Sequence, residues 1–197
     1  MPAILPPNRP RISYSRLLEI LEPYHYPLDL DKMFLVGVRG YYNESLGSIP
    51  QNERGIYDDA MLLVSPYVFA TFNANTDPSI ARPGIASLKP GCYHHVYQFD
   101  MHRPVGGFHH EAICQRAGNV TVIRDGTSPR EDIGNFGINI HKGRVNTTSS
   151  LGCQTIYPTQ WAAFYNLAKE QCIRTNPSIN FREVEITYIL IENNGEI

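Results

Sequence analysis

Phe136-Gly-Ile-Asn-Ile-His141-Lys-Gly143-Arg144 is followed closely by Thr147-Thr-Ser-Ser-Leu-Gly152-Cys153-Gln-Thr155. In the first run Phe136, Ile138 and Ile140 alternate with Gly137, Asn139 and His141, so it reads as a half-buried strand that delivers His141 at its end. Lys142-Gly143-Arg144 then turns the chain. The second run is short-chained and polar, which places Cys153, twelve positions after His141, at a turn and not in a core. A strand, a glycine turn and a second extended stretch in so few residues point to a β-rich fold.

Composition agrees. Among 197 residues there are 15 Gly, 15 Pro and 12 Tyr, a balance that suits strands and turns better than a helical bundle. We expect a single α+β domain over residues 1–197, a β-rich mixed β-sandwich or barrel-like core with a few helices. Within it, residues 85–165 carry the site, and residues 1–84 form an N-terminal part of unassigned role. The formal charge of −2 argues against a nucleic-acid partner, which needs a basic surface to displace counterions. No run of about 18 apolar residues offers a membrane span. Met1-Pro-Ala-Ile-Leu-Pro-Pro-Asn8 lacks a basic n-region and an apolar h-region, so no Sec signal is expected. Four cysteines without a Cys-x-x-Cys pair are expected to stay reduced.

Along the chain, residues 15–22 form the first expected helix, capped by Ser13 or Ser15 and ended by Pro23. Residues 33–39 read as a buried strand, and 60–65 with 67–72 as a hairpin. Residues 41–58 form a polar, turn-rich cover over a site. Asn73 to Ser79 reads as a loop. Strands are expected at 92–99, 119–124 and 183–192. Residues 159–172 form an amphipathic helix with Trp161, Phe164, Leu167 and Ala168 on one face.

A cysteine nucleophile needs a base, because the thiolate is the reactive form and a free thiol is mostly protonated at neutral pH. His141 is the candidate base for Cys153, and Gly152 removes a side chain where a substrate carbonyl must approach the sulfur. The competing reading is an inert buried thiol. Cys92, Cys114 and Cys172 have no comparable Gly/Ser surroundings with a histidine-bearing strand upstream.

Ile140-His141, a glycine turn and Ser150-Leu-Gly152-Cys153 resemble the active-site signature of the L,D-transpeptidase catalytic domain, whose members carry an upstream His and a downstream Ser-His-Gly-Cys. Leu151 stands where that family has its second histidine. Gln154-Thr155 stand where it has an apolar residue followed by Arg or Asn. More distantly, residues 89–161 resemble wall-active proteins of phages and Gram-negative bacteria. The resemblance implies an L,D-transpeptidase-type core acting on peptidoglycan stem peptides. It implies that Cys153 attacks a carbonyl beside a D-amino acid, that His141 serves as base and then acid, and that backbone N–H groups around Gly152 and Cys153 hold the oxyanion. The fate of the Cys153 thioester, hydrolysis or transfer to an amine, follows from what reaches it. A chain of this kind without an export signal is expected to reach the periplasmic wall by lysis, virion delivery or secretion.

Stem peptides carry carboxylates, and arginine forks bind them well. Arg124 is the first candidate, against an ion pair to Asp125 or Asp132; Arg144 and Lys142 stand close by in sequence. His102, Asn139, Ser149 and Ser150 complete the expected substrate-binding set. Two other functions compete: a non-catalytic virion or assembly protein that keeps the fold, and a zinc amidase. The latter draws on His94, His95, His102, His109 and His110 with Asp100 and Glu111, yet no His-Glu-x-x-His is present, and Gly106-Gly107-Phe108 reads as a loop. No cofactor and no metal are expected. Asp58-Asp59 and Asp77 are read as backbone-bonding turn residues before any acid–base role.

Overall fold

β1 (Phe34–Arg39) and β2 (Asp59–Val64) are buried at every position, which is why they read as unbroken apolar runs without alternation. Leu35, Met61 and Leu63 face the main core. The opposite face, with Val36, Val38, Ala60 and Leu62, lies under Leu17 and Leu21 of helix α1 (Tyr14–Leu21). Burying those two leucines stabilises the cover by roughly 1.5–3 kcal/mol apiece. Ser13 caps α1 by accepting from the Arg16 N–H at 3.1 Å, and Pro23 falls in the 3-10 turn Glu22–Tyr24 that ends it.

The computed structural model describes residues 4–47, 52–103 and 107–195. Residues 1–3 of the N-terminal segment, 48–51 of the expected polar cover and Gly106 of the expected loop lie outside them. Eight strands close into a barrel. Around it, β1 is followed by β11 (Ile186–Glu192), β5 (Gly91–His102), β6 (His110–Gln115), β9 (Ile140–Lys142), β10 (Gln154–Ile156) and β3 (Phe69–Asn75), and β2 returns to β1. The β1–β11 and β9–β10 pairs are parallel. A second sheet joins β4 (Ala86–Leu88), β7 (Val120–Arg124) and β8 (Arg130–Gly134). Helix α2 (Pro158–Thr175) packs Phe164, Tyr165, Ala168 and Cys172 into the main core. The fold is thus α+β and β-rich, and β1, β2 and β3 from residues 1–84 are woven into the same barrel as the later strands.

Three expectations are corrected. Asn73 to Asn75 are not loop but the end of β3, because Ala74 and Asn75 pair with Ile156 and Thr155 across the barrel. The run 136–141 is strand only from Ile140, and both its faces are covered: Ile138 and Ile140 on one, Asn139 and His141 on the other, each at most 5% exposed. The cause is its place between β6 and β10 inside a closed barrel. Finally, the strand expected to stop at Phe99 continues to His102, paired along its whole second half with β6.

Candidate functional site

The parallel pairing of β9 with β10 sets Thr155 beside His141 and Gln154 beside Ile140. Cys153, immediately before β10, therefore arrives next to the histidine strand. One ring nitrogen of His141, one of His102 and the Cys153 Sγ all lie within 4.8 Å of one another. His102 comes from the far end of β5, and its ring stacks on that of His141 with centroids 4.2 Å apart and planes 12° apart. His110 of β6 stands edge-on to both rings.

Hydrogen bonds assign the protons. A carbonyl only accepts, so His141 Nδ1 donates to the Lys142 carbonyl at 2.9 Å, and the Nε2 lone pair of the neutral ring is left free. Burial, reinforced by His102, lowers the His141 pKa to about 3. The Cys153 sulfur is half-buried, receives the Asn139 N–H at 3.5 Å and donates to the Gly137 carbonyl at 3.5 Å. Burial pushes its thiol up to about 11, although the Asn139 N–H opposes this. The resting pair is therefore a neutral thiol beside a neutral imidazole. Nucleophile formation needs proton transfer as the sulfur attacks, as in a serine–histidine pair.

The turn that carries Cys153 is tightly built. Ser150 Oγ accepts from the Gly152 N–H at 3.0 Å and donates to the Cys153 carbonyl at 2.6 Å. Gly152 sits at φ +137°, and a Cβ there would lie 2.6 Å from the Ala86 carbonyl oxygen. Its missing side chain thus makes room for β4 and not for a substrate carbonyl, and its N–H is engaged within the turn instead of free for an oxyanion. Tyr57 donates to the Arg144 carbonyl at 2.8 Å, and a Cβ on Gly143 would lie 2.1 Å from its hydroxyl. Of the expected cover, the described residues thus supply a support behind the loop and do not line the cavities beside Cys153.

Two cavities meet at the histidines. One, of about 570 Å³, is bounded by Ser79, Ile80, Leu151 and Cys153. The other, of about 480 Å³, is bounded by Phe108, Lys142, Arg144 and Trp161. His102, His141 and Ser149 border both. Trp161 packs on the core with Phe164 and Tyr165 and also presents an edge to the second cavity. Arg124 borders neither: it is paired with Asp132 at 3.2 Å and lies over the Phe136 ring. Its guanidinium is held on the small sheet because β7 and β8 put Asp132 beside it. Asn139 lies behind His102, its amide 2.9 Å from the ring.

The histidine cluster on which the rival zinc reading draws does not assemble. His94 and His95 pack against each other with their planes 58° apart and His95 faces Glu185, while Asp100 pairs with Arg116 at 2.7 Å. Among the described residues, the group with metal-ligand spacing is His102, His141 and Cys153, a His₂Cys set of a kind zinc accepts. Asp58 and Asp59 are fully buried away from both cavities. Asp59 accepts from the Gly40 N–H at 2.6 Å and from the Thr76 hydroxyl at 2.8 Å, and Asp77 pairs with Arg39 at 3.2 Å.

Searches for a matching family model, curated protein or solved structure found no match to this chain.

Proposed function

We propose that this protein is a peptidoglycan-directed cysteine peptidase or L,D-transpeptidase-like acyltransferase acting on stem peptides through a Cys153 thioester. The observation that carries the reading is the His141–Cys153 pair within 4.8 Å. There the base has its lone pair free because Lys142 holds its other nitrogen. In the first step the Sγ–H proton passes to His141 Nε2 as the Sγ–C bond forms. The same proton then goes to the leaving amine as the C–N bond breaks. Water or a second amine resolves the thioester. Lys142 and Arg144 on one cavity wall suit the stem-peptide carboxylates; Ile80 and Leu151 on the other suit an uncharged portion. Delivery to the periplasmic wall by lysis, a virion or a secretion machine belongs to the same proposal.

Wild type and Cys153→Ala are incubated with purified muropeptides and the products read by mass spectrometry. The expected result is cleaved or exchanged stem peptides from wild type and none from the variant. No product from wild type on any muropeptide overturns the wall reading. Product from Cys153→Ala that EDTA abolishes replaces it with metal-dependent hydrolysis.

A further inference from the structure

A sulfur attacking a carbonyl leaves an oxyanion that needs donors aimed at it. The backbone around Cys153 is largely spent. The N–H of Gly152 goes to Ser150 Oγ, that of Ser150 to Ser79 Oγ, that of Gln154 to the Asn139 carbonyl, and that of Asn139 to the sulfur itself. That leaves the N–H of Cys153 itself from the backbone at the sulfur, and a side-chain donor as a second source, one that is already oriented.

We propose that His102 is a catalytic residue of this site, a neutral imidazole whose Nε2–H donates to the oxyanion while His141 alone moves the proton. The inference rests on the cysteine reading. It follows from the way Asn139 is pinned. The Gln115 N–H donates to Asn139 Oδ1 at 3.0 Å, so the carbonyl end of that amide faces Gln115 and its NH₂ faces His102. That NH₂ lies 2.9 Å from His102 Nδ1. A donor there makes Nδ1 the acceptor and puts the ring proton on Nε2. His141 carries the opposite tautomer, because a carbonyl faces its Nδ1. Two parallel rings 4.2 Å apart thus differ in tautomer, a lone pair on His141 Nε2 against an N–H on His102 Nε2, with one nitrogen of each within 4.8 Å of the sulfur.

The amide donor that Asn139 holds on Nδ1 favours the neutral ring, because a protonated imidazole has no acceptor nitrogen to offer it. A neutral imidazole does not give up its last proton, and so it stabilises charge without acting as an acid, a role known for neutral histidine elsewhere. The electron count closes without it. The Sγ–C bond forms as the thiol proton moves to His141, and the carbonyl pair moves to oxygen, where His102 Nε2–H meets it. On collapse the C–N pair leaves with the amine, which takes the proton back from His141. This differs from the carboxylate-binding role expected for His102, which a cation serves better. It also bears on metal binding: a cation on His102 Nε2 would force a proton onto Nδ1, against the Asn139 amide.

Long-range ¹H–¹⁵N spectra of ¹⁵N-histidine protein read each tautomer directly. Expected at pH 7, with or without EDTA, are Nε2–H on His102 and Nδ1–H on His141. Nδ1–H on His102, or a spectrum that EDTA changes, overturns the proposal. Kinetics supply the second arm. Acylation of Cys153 by p-nitrophenyl acetate passes through an oxyanion; alkylation by iodoacetamide does not. His102→Ala should slow acylation about 10²-fold and leave alkylation within about twofold, with partial rescue in His102→Gln through its side-chain N–H. Equal losses in both reactions overturn the oxyanion role. Acylation that depends on His102 in a protein inert toward muropeptides would sink the wall substrate and leave this inference standing.

Discussion

Arg39, Asp59 and Asp77 are as deeply buried as His141, at 7%, 0%, 4% and 5% exposure, yet the two clusters are finished differently. Around Arg39 the charges are answered on the spot. The guanidinium pairs with Asp77 and donates to Thr76 and Leu88 carbonyls, and both Asp59 oxygens accept from backbone N–H groups. Around His141 the groups are neutral, the His102 and His141 rings each have one nitrogen held by a hydrogen bond, and His102, His141 and Cys153 border an open cavity. Buried titratable groups alone do not mark a site, since structural networks perturb them equally. An open valence facing a cavity does.

The sharpest way to break this contrast is to remove the central group of each cluster. Arg39→Met leaves Asp77 and Asp59 buried without a counter-charge and should cost about 3–5 kcal/mol in urea unfolding. Cys153→Ala should change stability by no more than about 1 kcal/mol while abolishing acylation. Similar stability losses in both would erase the distinction.

Acid and base tests should pull the clusters apart next. His141 and His102 have folded pKa values, about 3 and about 4, below their unfolded value. Their contribution is therefore present above about pH 6.5 and lost as pH falls toward those folded values. Asp58 runs the other way. Burial, then the like charge of Asp59, raises its carboxyl above the ordinary range. That contribution is full below the unfolded carboxylate pKa and disappears as pH rises through the raised one. Melting temperature should peak between these limbs. Asp58→Asn, which cannot charge, should gain several degrees over wild type at pH 8 and little at pH 5. Equal gains at both would mean that Asp58 is not protonated in the fold.

The smallest effect is expected at the rim. Ser149 sits at φ +57°, a left-handed conformation that costs a non-glycine residue roughly 1–2 kcal/mol. Ser149→Gly should leave stability unchanged or raise it by up to about 1 kcal/mol, measured by thermal unfolding. A clear loss would show that the Ser149 side chain holds the loop.

Much of this was legible locally. β1 and α2 announce themselves through continuous or helically spaced apolar residues, and the His141 turn to Cys153 is short enough to read as one motif. Arg124 was not legible: whether it meets a substrate or Asp132 depends on β7 pairing with β8. The strands β4, β9 and β10 have three residues each, too few for any periodicity. β6 opens with His110 and Glu111, polar residues that mask its pattern.

By itself the sequence determined a β-rich α+β chain and a thiol within reach of one histidine, because strand patterning, turn chemistry and short loop spacing are properties of neighbours along the chain. Only the tertiary structure brought His102 to that pair, turned Asn139 behind it, and spent the Gly152 N–H inside the turn. Those outcomes rest on barrel closure and cross-strand register, which join residues that are far apart in sequence; register sets Asn139 against His102, whereas the Lys142 carbonyl that holds His141 is its neighbour along the chain.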